Sequence, residues 1–298
     1  MDGGGLDFGI GDVGGKGLRL AEMNAALRTG TDFAIPPAVC VTTDVYRAAV
    51  ESLDLGDTAA AVFGGGAETG DNLAAAHALF RGYEFDPATV SAVGAFVDRL
   101  GPEATLAVRS SATIEDGAKF SLAGLCESRL HVARETEAVL EAVKECWISL
   151  WAERVVTYAA RMNAGGDADG GGGGEGDRGK RVVPEMAVVV QEMIDGAVAG
   201  VCFTIDPSTA YEDAFLVEAV HGLGEGLVSG EVDPTGYLIT FRDGAIVNSN
   251  SPPDGQGQKV GWLVGWLVGW LVGWFGGGVL WVVDGVLAFF LGEGKWGD

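Results

Sequence analysis

The residues with the clearest chemical potential are Arg109, Ser110 and Ser111, which follow the short apolar run Leu106–Val108. Such a strand, ending in an Arg and two hydroxyls before an acidic, glycine-containing loop, is suited to binding an anion. The guanidinium offers a planar fork of donors for phosphate oxygens, and the hydroxyls and loop amides can add further donors. The alternative is a structural ion pair between Arg109 and an acidic residue of the loop.

The net charge of the chain makes its few cations informative. A charge of −23 argues against nucleic acid or an anionic membrane surface as a partner. An anionic ligand can bind such a chain only where cations converge, and a divalent metal is expected to accompany it. Lys16 and Arg109 are therefore stronger candidates than they would be in a basic protein.

Lys16 lies in the segment VGGKG, directly before a helical pattern over residues 18–27. A glycine-rich turn, a lysine and a helix N-terminus together form a plausible cradle for an anion. The spacing differs from a Walker A loop, and no Ser or Thr follows the lysine. The alternative is a flexible leader with a solvated lysine.

Several patterns define the elements around these residues. Asp86-Pro87 is typical of a helix start. Residues 137–162 predict one long amphipathic helix whose tryptophans belong to the core. Residues 186–194 and 200–206 predict two strands of a hairpin.

Polar residues at strand ends provide further candidates. Gln191 and Glu192 lie where an apolar strand turns polar, a position suited to an adenine edge or a ribose but also found at any strand end. Glu218 or Glu225, around the segment HGLGEG, could face a metal–phosphate group or could be solvated.

The histidines and cysteines do not form a recognisable site in the sequence. His77, His131 and His221 have no second ligand nearby, so we interpret them as packing or surface residues. The four cysteines show no CxxC pair and predict buried, reduced thiols. With no secretory signal visible, we expect a cytoplasmic location.

Six stretches occur in an order that resembles the N-terminal ATP-binding domain of the phosphoenolpyruvate synthase family, which pyruvate phosphate dikinase and rifampicin phosphotransferase share. They are GGKG with its helix, IPPAVCVTTDVYRA, LAVRSSATIEDGAKFSLAGLCES, ECWISLWAERVVTYAARM, MAVVVQEMIDGAVAGVCFTIDP and HGLGEGLVSGEVDPTGYLI. The resemblance covers about residues 9–245. It implies an α+β, ATP-grasp-like domain of two lobes that clamp ATP and Mg²⁺ between them.

The resemblance also implies roles for individual residues. Lys16 and Arg109 would hold phosphates, and Gly124 would let its loop approach the nucleotide. Ser128 stands where relatives usually have Thr and could keep that role with its hydroxyl. Gln191 would lie near the adenine and ribose. The resemblance assigns no catalytic residue to this chain and leaves the metal ligands unknown.

The sequence departs from the family pattern after the nucleotide-binding region. It contains no magnesium-binding segment like PQDIEW, no phosphorylated histidine in a context like GGxTSHxAI, and no barrel domain for pyruvate or phosphoenolpyruvate. We therefore expect a truncated unit, with an ATP-binding domain over residues 1–250 and a disordered glycine-rich insert at 164–180.

The expected function is the nucleotide-binding half of a phosphotransferase. In the complete system, ATP would phosphorylate a histidine, which would pass the group to pyruvate or another acceptor. Whether the chain is an enzyme by itself stays open. The alternative is a non-catalytic nucleotide-binding or membrane-associated interaction protein.

Residues 251–298 form an apolar tail in which the unit GWLV repeats. Residues 260–283 are long enough to cross a bilayer, although tryptophan in the middle of a membrane segment is atypical. Three interpretations stay open: a low-complexity tail or a misread end of the coding frame, a membrane or lipid-surface segment, and a partner-binding tail.

Overall fold

The computed structural model describes residues 7–27, 33–65, 69–114, 125–165, 183–203, 214–240, 246–250, 278–283 and 286–291. The chain divides into two compact units, each assembled from two stretches of sequence. The first unit comprises residues 1–18 and 37–193, and the second comprises residues 19–36 and 194–298. Helices and antiparallel sheets are both present, so the expected α+β class is confirmed.

The elements are numbered along the chain. The helices are α1 (Ile10–Leu27), α2 (Thr43–Ser52), α3 (Gly56–Phe63), α4 (Thr69–Arg81), α5 (Pro87–Asp98), α6 (Thr136–Leu150), α7 (Glu153–Gly165) and α8 (Glu225–Ser229). The strands are β1 (Phe33–Ala34), β2 (Ala38–Val41), β3 (Leu106–Ala112), β4 (Ser128–Val132), β5 (Met186–Glu192), β6 (Val198–Phe203), β7 (Ala214–His221), β8 (Thr235–Thr240), β9 (Ile246–Asn250), β10 (Gly278–Val283) and β11 (Val286–Leu291).

The first unit is built on an antiparallel sheet with the strand order β2–β5–β3–β4. Because side chains alternate along a strand, every second residue of β3 and β5 lies on the same face. One of these faces packs against the helices of the unit, α6 above all, and is called the core face here. The core face comprises Leu106, Val108, Ala112, Met186, Val188 and Val190.

Aromatic side chains fill the helical layer of this core. Trp147 is fully buried and lies 5.7 Å from the ring of Tyr46 and 6.0 Å from that of Phe80, measured between centroids. Trp151 Nε1 donates a 2.9 Å hydrogen bond to the Tyr46 hydroxyl. The prediction that these tryptophans belong to the core is confirmed, and none of their surface is left for a ligand.

The single helix predicted over residues 137–162 is wrong in one respect, because the chain forms two helices there. The Trp151 amide bonds to Ile148 O at 3.0 Å and the Ala152 amide to Ser149 O at 3.3 Å, so the last turn of α6 tightens to three-residue spacing. A new helix then starts at Glu153. The apolar pattern continues across this break because both helices face the same core.

The second unit contains a sheet with the strand order β1–β10–β11–β6–β7–β8–β9, antiparallel except at the short β1–β10 pair. The predicted hairpin of residues 186–194 and 200–206 is wrong, because β5 belongs to the first sheet and β6 to the second. β5 is paired on both sides by β2 and β3, and the Met193 amide extends this pairing with a 2.8 Å bond to Thr105 O.

Part of the apolar tail has a place in this second sheet. β10 and β11 form an antiparallel hairpin, and β11 pairs with β6 from Val286 to Leu291. The GWLV repeats at 259–277 and most of the predicted insert at 164–180 lie outside the described residues. Among the helices that the structure describes, none is long and apolar enough to cross a membrane.

Candidate functional site

The face of the first sheet opposite the core face gathers most of the predicted site residues. Arg109 on β3 lies directly opposite Ser128 on β4, and Ala107 lies opposite Gln191 on β5. Since directly paired residues share a face and i and i+2 residues do too, Arg109, Ser111, Ser128 and Gln191 lie on one face. This set is called the polar face here.

The members of the polar face differ in accessibility. Ser128 is exposed and Arg109 is half-buried, whereas Gln191 and Ser111 are fully buried. The guanidinium and the Ser128 hydroxyl are therefore the members nearest to solvent. Gln191 is buried on β5, which pairs with β2 on one side and β3 on the other.

The glycine-rich segment before Lys16 docks on the same strand. Helix α1 is interrupted at Gly14, which adopts φ 68° and ψ 178°, and a regular helix follows from residue 15 to residue 27. The Ser111 hydroxyl donates a 2.7 Å hydrogen bond to Val13 O and accepts a 2.9 Å bond from the Gly17 amide. The predicted turn before the helix is thus present as a kink, with a helical turn already preceding it.

This docking places Lys16 beside the strand that carries Arg109. Lys16 is half-buried and lies in the first turn after the kink. On the core side of the same strand, the Cys146 Sγ lies 3.7 Å from Val108 O. Burial raises the pKa of Cys146 to about 12, while the positive charges of Arg129 and Lys16 act in the opposite direction.

The two serines after Arg109 have other roles than the anion contacts expected from the sequence. Ser110 lies on the side of the core face and is 1% exposed, and its hydroxyl has no hydrogen-bond partner within the described part of the chain. Ser111 uses its hydroxyl to bridge the kink in α1. The alternation of the strand therefore leaves Arg109 as the group of this motif that can reach a ligand.

A cysteine also borders the polar face without being reactive. Cys40 on β2 pairs with Val189 of β5, two residues from Gln191 along the same strand. Burial raises the pKa of the Cys40 thiol to about 12, although a backbone hydrogen bond at Val188 acts in the opposite direction. At neutral pH the thiol is protonated, so Cys40 is a packing residue and not a nucleophile.

The structure also describes most of the other residues considered from the sequence. Gly124 lies outside the described residues. His77 is packed, with Nε2 3.1 Å from Trp151 O. In the second unit, Glu218 lies within β7 and Glu225 is exposed at the start of α8. No group of three or more His, Cys, Asp or Glu residues suited to a metal occurs in the part of the chain that the structure describes.

Sequence reasoning missed the roles of Gly14 and Ser111 at this site. A Cβ atom at Gly14 would lie 2.0 Å from Ser111 O and 2.5 Å from its hydroxyl oxygen, so glycine is required for the strand to approach. The doubled Gly of GGKG was a visible signal for such an approach. The partner serine, almost a hundred residues away, carried no signal in the sequence.

Residues 10–255 match the family described as pyruvate phosphate dikinase, AMP/ATP-binding domain. The chain belongs to this family. The resemblance inferred from the sequence motifs is thereby confirmed, and the polar face and the kinked helix both lie within the matched region.

Relatives of this dikinase-type domain occur in several kinds of transferase. A rifampicin phosphotransferase from a Streptomyces species is 37% identical over 244 residues, which is 80% of this chain and 26% of that protein. A prodigiosin-synthesizing transferase from Serratia marcescens is 34% identical over 78% of this chain and 23% of that protein. A probable phosphoenolpyruvate synthase from Methanothermobacter thermautotrophicus is 31% identical over 84% and 38%, respectively. The chain therefore spans between 23% and 38% of the length of these relatives.

Proposed function

We propose that the polar face and the kink at Gly14 form the phosphate-binding part of an ATP site. Arg109 binds phosphate oxygens through its planar fork of donors, and Lys16 supplies a second positive charge. The helix that resumes after Gly14 begins directly before Lys16, so its N-terminus, the positive end of its dipole, adds to the positive charge of this segment. Lys16 and Arg109 thus lie on two segments that the Ser111 hydroxyl joins, in a chain whose net charge is −23.

The observation that carries this proposal is the register of β3. It sets Arg109 opposite Ser128 and places Ser111, two residues further on, in contact with the segment that holds Lys16. A register shifted by one residue would move Arg109 to the core face and separate it from Ser128.

The nucleoside part of ATP is assigned to the neighbouring residues. Gln191 binds the adenine and ribose through its side-chain amide, and Ser128 supplies a hydroxyl beside Arg109. Gly124 allows its loop to approach the nucleotide. Support for these roles comes from the membership in an AMP/ATP-binding family and, for Ser128 and Gln191, from their position on the polar face.

Magnesium is assigned to the nucleotide as Mg-ATP. It would neutralise part of the triphosphate charge, but the described residues offer no cluster of ligands for it. The role assigned to this chain is the binding and orientation of the phosphates. In the same proposal, the two compact units correspond to the two lobes of an ATP-grasp-like fold.

Phosphoryl transfer is proposed as a reaction of a larger system. ATP would phosphorylate a histidine, which would pass the group to pyruvate or another acceptor, as the resemblance to the phosphoenolpyruvate synthase family implies. The acceptor steps are assigned to segments that those longer relatives have beyond the shared region. Phosphoenolpyruvate formation by the purified chain alone would contradict this division of labour.

The site is tested by titrating the purified chain with Mg-ATP in a calorimeter, comparing native protein with Arg109→Ala and Arg129→Ala. A hydrogen bond to a charged group contributes about 1.5–3 kcal/mol, so Arg109→Ala is expected to weaken binding about 10- to 100-fold. Arg129 lies on the neighbouring strand, is exposed and pairs with Glu145 at 3.3 Å. Its replacement removes the same charge and should change affinity less than about twofold.

Two results would count against the proposed site. Equal losses in both variants would show that ATP responds only to the overall charge of the chain. Unchanged affinity in Arg109→Ala would remove this residue from the phosphate contacts and overturn the assignment of the polar face.

A further inference from the structure

The helix that carries Lys16 is capped by a residue from a distant strand. An N-cap serine normally accepts a hydrogen bond from the amide two or three residues further along its own helix. Here the residue at the cap position is Gly14, which has no side chain, and the Gly17 amide is bonded by the Ser111 hydroxyl at 2.9 Å. Ser111 therefore provides, from β3, the cap that the helix cannot provide for itself.

Ser111 is bonded on both sides of the kink. Its hydroxyl proton goes to Val13 O at 2.7 Å, and its oxygen receives the Gly17 amide. Both groups are in the interior, since Ser111 is fully buried and Val13 and Gly17 are also buried. One hydroxyl thus fixes the backbone before and after Gly14, and Lys16 lies between the two bonded positions.

Two further hydrogen bonds hold the segment before the kink. The Thr43 hydroxyl donates a 2.6 Å hydrogen bond to Gly11 O, and Arg47 Nη2 donates a 3.1 Å bond to the same oxygen. Thr43 is as fully buried as Ser111. Thr43 therefore provides a matched comparison. Its buried hydroxyl, on α2, bonds the segment before the kink but not the helical turn that bears Lys16.

We propose that Ser111 is a positioning residue that holds Lys16 in place for the phosphates of ATP. The inference rests on the proposed function, because Lys16 is the group through which Ser111 acts. A lysine side chain is a flexible stem with a point charge, so its ammonium group can be directed only if its backbone is fixed. Loss of the cap would let the first turn after Gly14 fray and spread the positions available to that charge.

The test measures binding of Mg-ATP and of adenosine to the full chain, in the native form and in Ser111→Ala, Lys16→Ala and Thr43→Val. Ser111→Ala and Lys16→Ala are both expected to weaken ATP binding about tenfold and to leave adenosine binding unchanged. Thr43→Val should lower thermal stability to a similar extent as Ser111→Ala without this selective loss. A purely structural role for Ser111 would weaken both ligands together and would overturn the proposal.

A double variant measures the energetic coupling between Ser111 and Lys16 in ATP binding. If Ser111 acts through Lys16, Ser111→Ala combined with Lys16→Ala should bind ATP no more weakly than Lys16→Ala alone, because only coupled residues depart from additivity. Additive losses would overturn the positioning role. Arg19→Ala, three residues along the same helix and half-exposed in a pair with Glu22, controls for the loss of a charge.

Hydrogen exchange separates this inference from the proposed ATP site. In the absence of nucleotide, Ser111→Ala should speed amide exchange in residues 15–18 more than Thr43→Val does. Unchanged exchange would overturn the capping role whatever the chain binds. If Ser111→Ala exchanges faster as expected but the native chain does not bind Mg-ATP, the capping role stands and the proposed function is refuted. The role of Ser111 toward phosphate is then refuted with it.

Discussion

The two faces of the first sheet are formed by the same strands but are specified by different forces. On the core face, Leu106, Val108 and Val190 are fully buried against helices, and their contribution comes from apolar area and close packing. On the polar face, Arg109 and Ser111 contribute through charge and hydrogen bonds to specific atoms. The comparison shows that one strand, by alternation alone, can serve stability on one side and binding on the other.

The largest expected effect comes from Leu106→Ala, which tests this division on a single strand. Truncating a buried leucine typically lowers the free energy of unfolding by about 2–5 kcal/mol, because the cavity is only partly refilled. Arg109→Ala, three residues along and on the opposite face, should change stability by less than about 1 kcal/mol while weakening ATP binding. Urea unfolding of both variants measures the first effect and nucleotide titration the second. A core variant that lost affinity while folded, or a larger stability loss in Arg109→Ala, would break the comparison.

Gly14→Ala is expected to affect both stability and binding, because this residue joins the kinked helix to the polar face. The left-handed φ of 68° is unfavourable for alanine by about 1–3 kcal/mol, and the new Cβ would lie 2.0 Å from Ser111 O. Stability and ATP affinity should therefore fall together. Gly11→Ala is the matched control, since no atom lies within 4 Å of its Cβ position.

Thermal unfolding distinguishes Gly14→Ala from its control, Gly11→Ala. Gly11→Ala should leave the melting temperature unchanged or raise it, since alanine favours a helix over glycine by up to about 1 kcal/mol. If Gly14→Ala were as well tolerated as Gly11→Ala, the close contact between the kink and β3 would be wrong.

The smallest expected effect is the pH dependence of stability that arises from two buried cysteines, one near each face of the sheet. Burial raises the pKa of Cys146, which packs behind β3, and of Cys40, which borders the polar face, from 9.0 to about 12. The unfolded thiols lose their protons first as the pH rises, so this contribution to stability is complete below pH 9 and declines from there towards pH 12. Each thiol should account for a loss on the order of 1 kcal/mol by pH 10.

Urea unfolding of Cys146→Ala and Cys40→Ala at pH 8, 9 and 10 measures these contributions. Each variant should lose less stability than the native chain between pH 9 and pH 10. If the pH-dependent loss of stability is reduced equally in both variants, water is excluded from the sheet at both cysteine positions. A reduction in Cys146→Ala alone would show that water reaches the polar face at β2.

Local features of this protein could be read from the sequence because short-range chemistry decides them. Asp86 caps α5 through hydrogen bonds from the Ala88 and Thr89 amides, as the Asp-Pro pair indicates. The apolar run Leu106–Val108 begins β3 as predicted, although the strand continues through Arg109 to Ala112 instead of ending there. Motif order also indicated the family that the match over residues 10–255 confirms.

Long-range features escaped the sequence because similar local patterns are compatible with several pairings. The strands β5 and β6 follow each other closely and look like a hairpin, yet each finds its hydrogen-bond partners in a different sheet. The apolar pattern from Trp147 to Val155 predicts one helix, although α6 tightens at its end and a second helix starts at Glu153. In both cases, the hydrophobic periodicity is compatible with more than one structure, and the tertiary contacts determine which one forms.

The sequence by itself determined which groups are available to bind an anion: the cation of Lys16 after two glycines, and Arg109 directly after the apolar run Leu106–Val108. Only the tertiary structure decided how they are arranged. Strand register set Arg109 opposite Ser128, and the Ser111 hydroxyl closed the kink at Gly14 across almost a hundred residues. The physical reason is that side-chain chemistry is a local property, whereas register and capping from a distant strand depend on which backbone groups meet when the core packs.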